Sequence, residues 1–173
     1  MRSDMKCAAT LGLMWLVSCQ AALGCESLAG NTDPGELEGK APIAGDGPRS
    51  IVHIQRNMLR GNRMFVVIQR GIEFASPSGT PAVAVHGGRV VSAQTYGEYG
   101  KAVIVDHGGG VRTLYGRLES FDVREGGCVA AGAVIGRVGS PPGGGNPTLF
   151  FEISTDGQFI WPTPQARSIG FKQ

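Results

Sequence analysis

Three short clusters in this 173-residue chain carry side chains suited to chemistry. They are Gln69-Arg70-Gly71-Ile72-Glu73, Tyr115-Gly116-Arg117-Leu118 and Thr148-Leu149-Phe150-Phe151-Glu152. Glu73 carries a carboxylate that can hold a cation. Gln69 offers only a neutral amide, a poor metal ligand. Arg117 is permanently cationic and cannot act as a base. Its guanidinium suits a carboxylate, on a neighbouring side chain or on a ligand. The three histidines, His53, His86 and His107, stand apart, and none has a partner at metal-binding spacing. The four cysteines, Cys7, Cys19, Cys25 and Cys128, form no CxxC pair, which argues against a zinc knuckle.

The elements that must position these clusters read as short strands. Candidates are Ile51–Gln55, Met64–Gln69, Ala82–Val85, Arg89–Thr95, Ala102–Asp106, Val111–Tyr115, Val134–Val138, Thr148–Ser154 and Phe159–Trp161. They are rich in β-branched and aromatic residues and are separated by turn signals at Gly61-Asn62, Gly87-Gly88, Gly108-Gly109-Gly110 and Asp156-Gly157. The chain holds 28 glycines and no helical hydrophobic periodicity of useful length after residue 25. An all-β sandwich or barrel is expected. The hydrophobic share of 42% is enough for a core, and a net charge of +2 lacks the basic field of a nucleic-acid binder.

Residues 1–25 read as an export signal. Arg2 and Lys6 precede an apolar run, Cys7 to Val17, that is too short to cross a bilayer comfortably. The alternative is a buried core helix, against which its terminal position argues. Leu16-Val17-Ser18-Cys19 resembles a bacterial lipobox, which would make Cys19 the lipidated residue and a lipid anchor the one contact with a membrane. The competing reading is cleavage near Ala22-Leu23-Gly24 and release into the periplasm. Residues 26–49 read as a tether, the folded domain is expected over 50–165, and 166–173 as a tail. Cys25 and Cys128 could pair in an oxidising compartment, but Cys25 falls next to the tether and the reading leans towards two unpaired thiols.

Four runs then occur in order. They are Gly79-Thr80-Pro81-Ala82-Val83-Ala84-Val85-His86-Gly87-Gly88-Arg89-Val90-Val91, Tyr99 to Tyr115 (YGKAVIVDHGGGVRTLY), Val129 to Gly139 (VAAGAVIGRVG), and Phe151-Glu152-Ile153 with Gly157, Trp161 and Pro162. Together they resemble the lysostaphin-type, LytM-like zinc endopeptidases of bacterial cell walls. The resemblance implies a two-sheet, barrel-sandwich hybrid β architecture, the duplicated hybrid motif, with a groove over one sheet.

It also implies a site, and each of its positions is altered here. The family's H-x-G-x-D becomes Gln69-Arg70-Gly71-Ile72-Glu73, so a zinc histidine is Gln69 and the aspartate is Glu73. Its H-x-H becomes Thr148-Leu149-Phe150, which puts a phenyl ring at the third ligand. Its Y-x-H-L becomes Tyr115-Gly116-Arg117-Leu118, which replaces a catalytic histidine by arginine. The family's zinc is therefore not expected, Gln69, Glu73 and Phe150 are vestigial metal positions, and no catalytic residue and no cofactor are expected. His107 is expected to be structural, His86 exposed, and Glu152 structural at its strand end.

The resemblance extends to degenerate members similar to the EnvC- and NlpD-type murein hydrolase activators. It implies a non-catalytic envelope protein that engages a peptidoglycan amidase or other murein hydrolase, with peptidoglycan nearby and no nucleic acid. Groove candidates are Gln69, Arg70, Glu73, Tyr115, Arg117, Thr148 and Phe150. The alternatives are that Arg117 only pairs with Glu73 or Glu152 and fills the old metal hole, that the domain is a passive peptidoglycan-binding module, or that it is a zinc endopeptidase with atypical ligands. The run Val129–Gly139 also resembles lipoyl- and biotinyl-carrier domains. Those need a modified lysine at a hairpin tip, and Lys101 stands at a strand start instead.

Overall fold

The computed structural model describes residues 25, 32–33, 37, 40–44, 49–60 and 63–159, with the backbone alone for 49–60, 63–70 and 159. Residues 1–24 of the expected export signal, Cys19 among them, the Gly61-Asn62 turn and the tail lie outside the described residues, as does the end of the strand expected over Phe159–Trp161. The strands are β1 (Arg49–Arg60), β2 (Arg63–Ala75), β3 (Pro81–Val83), β4 (Gly88–Tyr96), β5 (Gly100–Asp106), β6 (Val111–Phe121), β7 (Cys128–Val129), β8 (Val134–Val138), β9 (Thr148–Thr155) and β10 (Gln158–Phe159). The fold is all-β, as the turn-punctuated sequence implies.

All neighbouring strands are antiparallel, in the order β1-β2-β9-β6-β5-β4-β7. A second layer comes from β6 itself. Its first half, Val111 to Gly116, pairs with β9, while Leu118 to Phe121 pairs with β8, which in turn pairs with β3. The sequence reading stops β6 at Tyr115, because Gly116 interrupts the apolar run. The strand instead turns a corner at Arg117, whose φ of 63° is the left-handed conformation that L residues seldom adopt. The corner is held by Arg117 N–H donating to the Tyr99 carbonyl and by Gly139 N–H donating to the Arg117 carbonyl.

Strand alternation then sorts the side chains. Phe74, Val90, Val103, Val105, Val111, Tyr115, Leu149 and Phe151 join Ala82, Ile135 and Val138 of the second layer in the main core. The opposite face of the long sheet carries a smaller cluster of Ala102, Leu114 and Phe150, packed with Tyr96, Tyr99 and Ile104.

Part of the segment expected to be a tether is packed on the domain. Leu37 and Ile43 are buried in the main core, and Thr32 donates a hydrogen bond to the His107 carbonyl at 2.7 Å. Ile43 bridges Ala82, Val83 N–H donates to the Pro42 carbonyl, and Ala44 N–H donates to the Pro81 carbonyl. The two apolar side chains stand isolated among Gly, Pro and acidic residues, and composition alone hides their docking. The same packing corrects the cysteine reading: Cys25 and Cys128 form a disulfide, with Cα atoms 5.2 Å apart across 103 residues of sequence. It ties residue 25 to the short edge strand β7.

Candidate functional site

The second face of the sheet is built in rows across the strands. Glu73 on β2 lies opposite Phe150 on β9, which lies opposite Gly116 on β6. The next row runs Ser92, Ile104, Leu114, Glu152 across β4, β5, β6 and β9, and the row after it runs Asp106, Arg112, Ser154. The groove expected over one sheet lies here.

Its best-defined feature is the seat of Arg117. The left-handed backbone at the β6 corner swings this side chain back over the sheet. Its Nη1 lies 2.5 Å from Glu73 Oε1 and donates to Thr148 Oγ1 at 2.8 Å, while the guanidinium carbon stands 5.6 Å from the centre of the Phe150 ring. The arginine side chain is 7% exposed and the glutamate 22%. Phe150 is itself buried, tilted against Tyr99 with ring centres 5.2 Å apart. It also fills the space above Gly71, where a Cβ would stand 2.5 Å from the ring.

These residues do not fit a zinc ion. A zinc site needs three converging nitrogen, sulfur or carboxylate donors and an open position. Here the one carboxylate is engaged by a guanidinium, which would repel the ion, and the facing group is a hydrocarbon ring. Among the described residues no three histidine, cysteine, aspartate or glutamate side chains come together to hold a metal. Of the expected groove residues, Glu73, Arg117, Thr148 and Phe150 are gathered at one point. Gln69 and Arg70 lie on β2 opposite Ile54 and His53, and their side chains are outside the described residues.

Tyr115 does not belong to the groove. It lies on the core face, fully buried, its ring 5.2 Å from Phe151 and its hydroxyl accepting from Val85 N–H at 3.0 Å. Burial pushes its pKa up to about 12. Its neighbours Leu114 and Gly116 take the groove side, so strand parity assigns Tyr115 inward. His107 is structural: it is buried, with Nδ1 2.9 Å from the Gly87 carbonyl and Nε2 2.7 Å from Thr113 Oγ1. Burial lowers its pKa. His86 is half-buried rather than exposed, because its ring packs edge-on against His107 at 5.8 Å.

The sequence reading also passed over a recess of about 380 Å³ on the same face, lined by Ser92, Tyr96, Ile104, Arg112, Leu114, Glu152 and Ser154, among others. Glu152 is not simply a strand-end residue. It sits mid-strand in the groove floor, accepts a hydrogen bond from Tyr99, and has one buried oxygen, Oε2, with no partner. Burial raises its pKa to about 7. The parity of Phe150, Glu152 and Ser154 along β9 was the available signal.

Residues 67–162 match the model of Peptidase family M23, and the chain belongs to that family. The murein hydrolase activator EnvC of Escherichia coli is 41% identical over 95 residues, 55% of this chain and 23% of that protein. The DD-carboxypeptidase/endopeptidase Mpg of Neisseria meningitidis is 39% identical over 99 residues, 57% of this chain and 23% of that protein. The chain thus spans about a quarter of the length of these curated relatives. Among solved structures, an M23 peptidase-family chain from Pseudomonas aeruginosa superposes with a TM-score of 0.59 at 29% identity, covering 80% of this chain and 53% of that one. The catalytic domain of lysostaphin from Staphylococcus simulans gives 0.51 at 27% identity, covering 58% and 80%. One relative is named as an activator and another as a peptidase at nearly equal identity, so the site must separate the two.

Proposed function

We propose that this protein is a non-catalytic member of the family that regulates peptidoglycan hydrolases, activating an amidase or a related murein hydrolase during wall remodelling or division. The observation that carries the reading is the Arg117–Glu73 ion pair seated over Phe150, where the family's metal chemistry would be. A metallopeptidase needs a Lewis acid that polarises the scissile carbonyl and activates water. A guanidinium clamped to a carboxylate supplies neither. What the groove retains is a shaped, partly apolar floor suited to a polypeptide. Similarity to proteins named murein hydrolase activator and lipoprotein NlpD/LppB homolog supports the same direction. In this reading the domain works in the cell envelope, delivered by the export signal and held there by a lipid on Cys19 or released after cleavage.

The test uses dye-labelled murein sacculi. The protein alone should release no dye, and it should increase release by one member of a panel of purified amidases. Release by the protein alone overturns the proposal in favour of a peptidase. Retention on sacculi without stimulation of any amidase replaces it with a passive peptidoglycan-binding module.

A further inference from the structure

The recess beside Glu152 has no role in the metal geometry or in the Arg117 seat. Its floor is the row Ser92, Ile104, Leu114, Glu152, and its walls include Tyr96, Arg112 and Ser154. It is apolar along Ile104, Leu114 and Tyr96 and polar at one end. At that end the Glu152 carboxylate is held by Tyr99 on one side, while Oε2 is buried and unpartnered. A buried carboxylate oxygen without a donor is costly, and folding gains nothing visible from this one. Two hydroxyls, Ser92 Oγ and Tyr96 OH, already satisfy each other at 2.8 Å and leave Oε2 alone. The one cation in the lining, Arg112, is turned to Asp106 at 3.1 Å, so its charge is already matched.

The geometry points to a seat for a basic side chain, a lysine ammonium or arginine guanidinium, carried by the polypeptide partner that binds the groove. An aliphatic stem would lie along Ile104, Leu114 and Tyr96 while the cationic head donates to Glu152 Oε2. This rests on the reading of the groove as a partner-binding surface, and it names the chemistry of the partner. The seat lies one row beyond the Arg117–Glu73 pair, whose charges already match, so Glu152 is the point of the floor that would recognise a cation. That arrangement fixes the register of a bound segment as well as holding it.

The experiment follows the methyl resonances of Ile104 and Leu114 while Nα-acetyl-lysine methylamide is added, with its norleucine analogue as the uncharged control. Saturable shifts are expected with the lysine probe, with affinity about tenfold or more above the norleucine probe. Glu152→Gln, which keeps the shape, and Ser154→Leu, which narrows the recess without touching the carboxylate, should each remove that difference. Equal response to both probes overturns the seat. Soluble stem peptides released from sacculi form a third arm, and tighter binding of these than of the lysine probe overturns the assignment to a protein partner. The amidase assay tests the parent reading separately. A wild-type protein that stimulates no amidase removes the proposed function, while the methyl shifts still decide the recess. Where stimulation occurs, Glu152→Gln should raise the half-maximal concentration about tenfold, and an unchanged value overturns the partner assignment.

Discussion

Arg117 and Glu73 meet at 2.5 Å across two strands that are not neighbours, β6 and β2, with β9 between them. The pair is mostly buried and bridges the groove floor. Removing one partner leaves the other charge desolvated, which costs more than the pair itself contributes. Arg117→Ala should therefore destabilise the protein by about 3 kcal/mol, through the unpaired Glu73 charge it leaves behind. The double variant Arg117→Met with Glu73→Gln should lose less than the two single changes added together, by about 1–3 kcal/mol. Urea denaturation of the four proteins measures the coupling. Additive losses would show that the contact contributes nothing.

Phe150 occupies the space that a side chain at Gly71 would need. Gly71→Ala should cost about 2 kcal/mol through the clash with the ring. Phe150→Leu should cost about 1 kcal/mol alone and recover only part of the loss when combined with Gly71→Ala, because the Phe151 carbonyl oxygen would still stand 2.8 Å from the new Cβ. Thermal melts of the single and double variants check this, and an unrescued double variant would place the strain in the backbone instead.

Glu152 should make stability fall as pH rises. Its folded pKa of about 7 stands above the model value of 4.5, so the folded state holds its proton more tightly than the unfolded chain. The penalty develops as pH climbs from about 4.5 to about 7 and is complete above that. Glu152→Gln should be more stable than wild type at pH 8, by about 2 kcal/mol, and should match it near pH 4.5. His107 acts in the other sense. Its lowered pKa means that stability is lost as pH falls through and below the ordinary histidine range, when the buried ring must take up a proton. Comparing wild type with Glu152→Gln across pH isolates the glutamate from this acid limb.

The Cys25–Cys128 bridge closes a long loop, so it constrains the unfolded chain strongly. In the chain-entropy account, Cys128→Ser should lower stability by about 4–5 kcal/mol. Non-reducing peptide mapping should recover the cross-linked pair, and a reductant should lower the wild-type melting temperature to that of the variant.

Much of the fold was legible in the chain because β-branched runs and glycine turns report local conformation directly. Thr148–Ser154 was found within a residue of β9, and Val134–Val138 coincides with β8. The Arg117–Glu73 pairing was weighed as an alternative from residue types alone. What was not legible depended on contacts distant in sequence. The β6 corner needs Tyr99 and Gly139 to hold an arginine left-handed, and no local propensity predicts that. Tyr115 and Arg117 share one motif and, two residues apart, would share a face of a regular strand; the left-handed corner at Arg117 sends them to opposite sides. Residues 26–49 read as a tether from their composition, which hides the docking of Leu37 and Ile43, and with Cys25 beside a tether the Cys25–Cys128 bridge looked remote.

The disulfide also has a mechanical consequence. A pull applied upstream of Cys25 and resisted at the far end of the chain passes directly through the sulfur bridge to Cys128. The 103-residue loop that it closes, with β1 to β6 and both members of the Arg117–Glu73 pair, lies outside that line of tension. Only the chain from Cys128 onward, with β8 and β9, would be stretched. The bridge would thus act as a strain relief for the covalent loop, so that a tug from upstream of Cys25 reaches β2, β3 and β6 through their pairing with β8 and β9 and not along their own backbone.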